Sequence, residues 1–416
     1  MKVLIVGGGG REHAIAWKLA QSPLVTELWC APGNGGIAQL ATCAPVKATD
    51  IPGMLELVRR ERFDFVVVAP DDPLALGMVD ALEREGIPAF GPNAAAARIE
   101  GSKVFAKDLM RKYHIPTAAY EVFSEPEAAL AYVATCPIPT VVKADGLALG
   151  KGVYVCMTRQ EAEDAVKSIM VNRAFGESGA RIVIEEYLTG PEVSVLAFCD
   201  GKTLAPMVPS QDHKRALDGD RGLNTGGMGT FSPTRHYTPQ IAERALREIM
   251  LPTVQAMAAE GCPFKGVLFF GLMLTADGPK ALEYNARFGD PETQVVLPRL
   301  KGDLMEIFRA VVEERLDQVE IAWDERAAAC VVLASGGYPG SYRTGLPIEG
   351  LDKVRDALVF HAGTKAEDGR ILTAGGRVLG VTALGDTLDA AIANAYRAVE
   401  DIRFEGMHYR RDIGKK

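Results

Sequence analysis

A chain of 416 residues, 48% hydrophobic and 24% charged, has the apolar content to build about three packed domains. Its formal net charge of −8 excludes the basic footprint needed for non-specific nucleic-acid or anionic-membrane binding, and no apolar run is long enough to span a bilayer. Seven scattered cysteines, none in C-x-x-C spacing, exclude a zinc ribbon and a disulfide framework and fit reduced thiols in the cytoplasm.

Strand and helix patterns alternate through residues 1–101. Lys2–Val6 is an apolar strand, too short for a signal-peptide core, and runs into four glycines. A helix over Arg11–Gln21, a strand at Thr26–Ala31, a helix over Ile51–Arg62, a buried strand at Phe63–Ala69 and a helix over Pro73–Glu85 follow. This pattern predicts a doubly wound parallel α/β domain, with ligands beyond the strand C-termini at Gly7–His13, Pro32–Gly36 and Pro70–Pro73. The dinucleotide fingerprint fails, because Glu12 stands where its third glycine belongs and a shifted frame puts His13 there. The loop still offers backbone N–H groups at a helix N-terminus with Arg11 in the first turn, which suits a phosphate.

Gly101-Ser102-Lys103 opens a helix running to about Tyr113. Strands at Pro139–Ala144, Val153–Met157, Arg181–Leu188 and Val193–Cys199, with a helix over Arg159–Met170, predict a small α+β unit. At its tip, Asp145–Gly152 is a glycine hairpin rather than a Walker A loop. Asp145 takes the place of the required glycine, and Gly152 that of the Ser/Thr. Such a loop can lay N–H groups over phosphates, with Lys103, Lys143 and Lys151 adding charge; singly, each lysine reads as a solvated surface group. The edge of R-I-V-I-E-E-Y-L offers backbone groups to an adenine, and Glu192 lies within reach of ribose hydroxyls.

The polar, glycine-rich stretch 209–233 is too long for an ordinary connection and reads as functional. Helices at about 239–259 and 302–318 flank a hairpin with an Asp277-Gly278 turn. On its returning strand, A-L-E-Y-N-A-R, alternation puts Glu283, Asn285 and Arg287 on one face at about 7 Å intervals. A carboxylate, an amide oxygen and a guanidinium so placed form a hard-oxygen cation site beside an anion clamp, the pattern of Mg²⁺ held with substrate phosphates. From Ala328 the chain is strand-rich, with one late helix at about 387–402, which predicts a small C-terminal α+β domain.

The order K-A-D-G-L-A-L-G-K-G, E-E-Y-L…E, E-Y-N-A-R resembles the ATP-grasp superfamily. G-G-R-E-H-A (9–14), S-Q-D-H-K-R (210–215), N-T-G-G-M-G (224–229) and R-F-G-D-P-E-T-Q (287–294) narrow the resemblance to the glycinamide ribonucleotide synthetase family, the phosphoribosylamine–glycine ligases of purine biosynthesis. The resemblance implies an N-terminal substrate domain over 1–101, an ATP-grasp domain over 102–327 with a mobile lid at about 118–190, and a C-terminal domain over 328–416. It implies ATP-driven ligation of glycine to 5-phosphoribosylamine through a glycyl phosphate, with Mg²⁺ or Mn²⁺, in a cytoplasmic monomer. Carried over, Glu283 and Asn285 are the metal ligands. Lys103, Lys143, Gly150 and Lys151 contact phosphates, and Glu185, Leu188 and Glu192 form the adenine and ribose pocket. Arg287 stabilises the acyl phosphate, while Asp212, His213, Gly226 and Gly227 border the glycine site, with His213 open as a general base. Gly9, Arg11, Glu12, His13 and Asn34 take the phosphoribosyl group, with Asp71 and Asp290 on its hydroxyls or, for Asp290, on Arg287. Four positions depart from the family pattern: Gly8 for Asn, Ala69 for Gly, Asp71 for Glu and Leu149 for Ala. The rival expectations are another ATP-grasp ligase, such as a biotin-carboxylase-like enzyme, and a nucleotide-binding regulator without turnover.

Overall fold

In the computed structural model, which describes residues 1–147 and 152–415, the apolar runs of the N-terminal region pair as five parallel strands. Their order is Thr42–Cys43, Glu27–Pro32, Lys2–Gly7, Phe65–Val68 and Ala89–Phe90. The order reverses at Lys2–Gly7, so the crevice between its C-terminal end and that of Phe65–Val68 is the natural ligand position of such a sheet. The expected helix over Pro73–Glu85 is two helices, Asp71–Ala75 and Met78–Arg84, because Gly77 at φ +85° breaks the run in a conformation side chains resist. A further helix, Ala94–Gly101, precedes the expected one at Lys103–Lys112. Asn93 Oδ1 caps the first and Ser102 Oγ the second.

Four antiparallel strands, ordered Tyr120–Phe123, Ile182–Glu186, Thr140–Ala144 and Val153–Cys156, form a separate small sheet with its own apolar core beneath the helices Pro126–Val133 and Arg159–Val166. A second antiparallel sheet runs Leu204–Pro206, Glu192–Asp200, Lys265–Thr275 and Gly278–Asn285. Its last two strands make the Asp277-Gly278 hairpin, with a register shift at Gly271/Leu272.

The polar stretch 209–233 holds four short strands rather than an open loop. Gly229–Ser232 pairs with Ala327–Ala334, so both ends of this stretch extend the C-terminal sheet, which runs Gln211–Asp212, Gly229–Ser232, Ala327–Ala334, Arg377–Gly385 and Leu358–His361. The helix Leu388–Val399 packs on that sheet through Ala391, Ala395, Ala398 and Val399. Among the described residues, no helix is long and apolar enough to cross a membrane.

Candidate active site

A cleft of about 1000 Å³ collects side chains from the N-terminal, central and C-terminal segments. Its floor follows from strand alternation: Tyr284 and Ala286 turn into the core, leaving Glu283, Asn285 and Arg287 on the cleft with Lys103 and Lys143. Burial opposes the Glu283 charge, but Lys214, Lys143, Lys103 and Arg287 hold its carboxyl below the ordinary range. It is therefore a carboxylate with a lone amide oxygen, Asn285, two positions along. Among the described residues no set of three or more His, Cys, Asp or Glu side chains gathers as a cage. That is the donor set of a Mg²⁺ completed by phosphate and water rather than of an all-protein site.

The two lysines are held differently. The helix carrying Lys103 is tied to Asp145, whose Oδ1 accepts from Ser102 Oγ at 2.8 Å and Val104 N at 2.9 Å, and Lys103 Nζ donates to Gly146 O at 3.1 Å. Lys143 ion-pairs with Glu185, whose other oxygen lies 2.5 Å from Lys107. Burial again opposes the charge, and Lys143 and Lys107 outweigh it, so Glu185 stays well ionised. The Glu185 side chain is only 2% exposed and meets Lys143 from behind, beside the strand edge expected to border a nucleotide. Leu188 packs its side chain against Ala118 and Met273, beside the cleft-lining residues Tyr187 and Gly190–Glu192. Glu192 does line the cleft, 3.0 Å from Lys214, which also lies 3.9 Å from Glu283. Sequence reasoning passed over Lys214, although it sits inside S-Q-D-H-K-R. Gly150 and Lys151 lie outside the described residues.

At the sheet switch point, Arg11 and Asp71 line the cleft, whereas Glu12, His13 and Asn34 serve the loop itself. Glu12 caps the helix N-terminus, its two oxygens accepting from Gly9 N and Arg11 Nε, each at 2.6 Å. His13 Nδ1 accepts from His361 N at 2.7 Å, and burial pushes its pKa down to about 3, so it is a neutral tie to the C-terminal sheet. Asn34 donates to Gly8 O and His361 O and accepts from Gly36 N and Ile37 N, which uses its whole hydrogen-bonding capacity. These three side chains are engaged within the fold, which leaves the backbone N–H groups of the loop as its donors toward an anion. Gly9 is likewise engaged by Glu12.

Arg287 pairs with Glu100 at 2.8 Å, and Glu100 also accepts from Ala286 N at 2.7 Å, so a buried carboxylate aims the guanidinium. Asp71 is 3.9 Å from the same guanidinium. Asp290 pairs instead with Arg377 at 3.3 Å and accepts from Arg11 N at 3.4 Å. Burial opposes its charge, and Arg377 and Arg11 hold it ionised. Arg377 also donates to Gly226 O at 2.8 Å and Gly227 O at 3.4 Å, which brings the N-T-G-G loop to Asp290. Neither Glu100 nor Arg377 was singled out from sequence, since nothing local marks a partner so far along the chain.

Asp212 lines the cleft and faces Glu292, another residue not singled out; burial and then Asp212 push the Glu292 carboxyl up to about 7. His213 is fully buried against Phe231, and its Nε2 accepts from Gly414 N at 3.0 Å. A ring buried in this way is poorly placed to take a proton from a substrate amine, which weighs against the open reading of His213 as a general base.

The phosphoribosylglycinamide synthetase N domain, ATP-grasp (A) domain and C domain match residues 1–100, 101–293 and 328–416 of this chain. The phosphoribosylamine–glycine ligase of Allochromatium vinosum is 53% identical, over 100% of this chain and 98% of that protein. The crystal structure of the phosphoribosylamine–glycine ligase from Thermotoga maritima is similar at a TM-score of 0.86 and 35% identity, covering 100% of both chains. A biotin carboxylase domain from Hydrogenobacter thermophilus, solved with MgADP and bicarbonate, shares the fold alone, at 15% identity and a TM-score of 0.74 over 98% of this chain and 91% of that one.

Proposed function

The chain belongs to the phosphoribosylglycinamide synthetase family, and on that premise we propose that it joins glycine to 5-phosphoribosylamine with ATP, giving glycinamide ribonucleotide, ADP and phosphate in purine biosynthesis. The observation that carries this reading is the shared cleft face of Glu283, Asn285 and Arg287, set among Lys103, Lys143 and Lys214. Phosphoryl transfer needs positioning and charge neutralisation rather than a protein nucleophile, and this face supplies both.

A glycine carboxylate oxygen attacks the γ-phosphorus of ATP, and the bond to the β-bridging oxygen breaks, leaving ADP and glycyl phosphate. The ribosylamine nitrogen then attacks the glycyl carbonyl carbon, phosphate leaves, and the nitrogen loses a proton to give the amide. Lys143, oriented by Glu185, and Lys103 hold phosphate oxygens. Glu192 takes ribose hydroxyls, and Tyr187–Glu192 borders the adenine. Glu283 and Asn285 would hold Mg²⁺ or Mn²⁺, which supplies charge neutralisation on the phosphates. Arg287, aimed by Glu100, stabilises the charge at the transferring group. Asp212 and the Gly226-Gly227 segment border glycine. Arg11, Asp71 and Asp290 face the phosphoribosyl group.

In this reading residues 1–101, 102–327 and 328–416 are the domains, and 118–190 is a lid that keeps water from the acyl phosphate. The enzyme works as a cytoplasmic monomer. The test is ADP release from MgATP with glycine and in-situ phosphoribosylamine omitted in turn. Dependence on both is expected; ADP formed with bicarbonate in place of glycine, or none with all substrates present, would overturn the reading.

A further inference from the structure

The cleft wall formed by residues 215–227 has little apolar support of its own. Its hairpin, Arg215–Leu217 paired with Arg221–Asn224, joins no larger sheet, and Leu217 and Leu223 are 46% and 67% exposed. Two strands alone are marginal in water. Arg215, Asp220, Asn224 and Gly226 nevertheless line the cleft.

The segment His408–Gly414 holds that wall. Arg410 is fully buried, and its guanidinium donates to Arg215 O at 3.1 Å, Asp220 Oδ1 at 2.9 Å and both oxygens of Asp412 at 2.7 Å. Arg411 N donates to Asp218 Oδ1 at 2.8 Å, and Asp412 Oδ2 accepts from Gly219 N at 2.9 Å. His408 Nε2 lies 2.8 Å from Ala216 O, and Gly414 N donates to His213. The segment is anchored in turn: Tyr396 on the last helix donates its hydroxyl to Arg410 O at 2.8 Å and accepts from Ile413 N at 3.0 Å. These bonds to the wall end on His213 and residues 215–220 and bypass Lys214, whose side chain pairs with Glu192.

We propose that Arg410 is a positioning residue for the ligation, one that never touches substrate but fixes residues 215–227 so that their cleft-facing groups meet glycine and the amine. The proposal rests on the ligase reading for its substrates. A buried guanidinium is retained at a cost unless it is paired with good geometry, and here its planar fork ties three strand and turn segments together, which a lysine cannot reproduce. The restraint passes on through Gly226 and Gly227 to Arg377, Asp290 and Arg11. The C-terminal segment and the N-terminal anion loop are thereby coupled through the substrate wall.

The test is Arg410→Gln in the full-length chain. The expected result is a rise of about tenfold or more in KM for glycine and phosphoribosylamine, with the Kd for ATP within about twofold and partial rescue in Arg410→Lys. Unchanged KM values, or ATP binding lost in equal measure, would overturn it. Amide hydrogen exchange reads the same restraint without turnover, and so separates its failure from failure of the ligase reading. Faster exchange confined to residues 213–227 in the variant supports the proposal, and unchanged exchange overturns it. Should Arg410→Gln not fold, Asp218→Ala removes only the acceptor of Arg411 N; faster exchange in the hairpin then supports the proposal and wild-type exchange overturns it.

Discussion

Glu185 meets the ammonium of Lys143 from the neighbouring strand of the small antiparallel sheet, and Lys107 closes on its other oxygen at 2.5 Å. One carboxylate thus bridges two buried lysines. Removing it leaves Glu283 as a more distant counter-charge for both, and breaking such a buried pair costs about 3–5 kcal/mol. Glu185→Gln is expected to lower the thermal midpoint and weaken ATP binding together. The Glu185 carboxyl titrates below its ordinary 4.5, so its contribution is present above that pH and is lost as pH falls through the lowered value. Melting curves from neutral to acid pH, with a nucleotide titration, check this; a variant as stable as wild type would remove Glu185 from its positioning role.

Glu283→Gln keeps the shape of the side chain and removes the charge that a divalent cation needs. Turnover is expected to be nearly abolished, since a metal ligand of this kind is worth several kcal/mol. Steady-state rates with Mg²⁺ and direct Mn²⁺ binding are the measurements. Activity within about threefold of wild type would sink the assignment.

The acyl-phosphate route makes an isotopic prediction. Glycine labelled with ¹⁸O in its carboxylate should pass label to the released phosphate, read by mass spectrometry. Label retained only in the amide product would exclude a glycyl phosphate.

His13 and His361 bring a pH dependence of stability. Burial, then the neighbouring His361, pushes His13 down to about 3, and burial pushes His361 to about 4. Below 6.5 the unfolded chain binds protons that the folded chain refuses, so stability falls as pH drops toward 4, by up to about 1.4 kcal/mol per pH unit for each histidine. In His13→Gln the fall in melting temperature between neutral and mildly acid pH should be shallower than in wild type. Equal slopes would contradict this.

Gly227 has φ +116°, and an added Cβ would lie 2.5 Å from Pro291 Cδ. Gly227→Ala must therefore shift the turn that carries Asp290, adding roughly 1–2 kcal/mol of backbone strain. The expected outcome is a raised KM for the amine with ATP affinity retained, measured by initial rates and nucleotide binding. Wild-type kinetics would show that the loop tolerates the shift.

Much of this architecture is legible locally. Period-two alternation in A-L-E-Y-N-A-R placed Glu283, Asn285 and Arg287 on one face, and the structure puts them there because Tyr284 and Ala286 take the core. The failed dinucleotide fingerprint has a local cause as well, since Glu12, at its third glycine position, caps the helix that follows the loop. Local reading was weaker where hydrogen-bonding side chains served the fold. Glu12, Asn34, His13 and His213 are polar residues in glycine-rich motifs, the profile of substrate ligands, yet caps and buried ties occupy them.

The chain order alone determined most of the strand and helix succession, the shared face of Glu283, Asn285 and Arg287, and the glycine turns, because each depends on neighbours a few residues apart. Tertiary structure alone decided that Glu100 aims Arg287, that Arg377 holds Asp290 and the Gly226-Gly227 turn, and that Arg410 holds the 215–224 hairpin. Those pairs lie far apart along the chain, from Asp290–Arg377 to Asp220–Arg410. No local pattern specifies which distant charge will fill a buried vacancy, because desolvation and geometry settle it only once the sheets have packed.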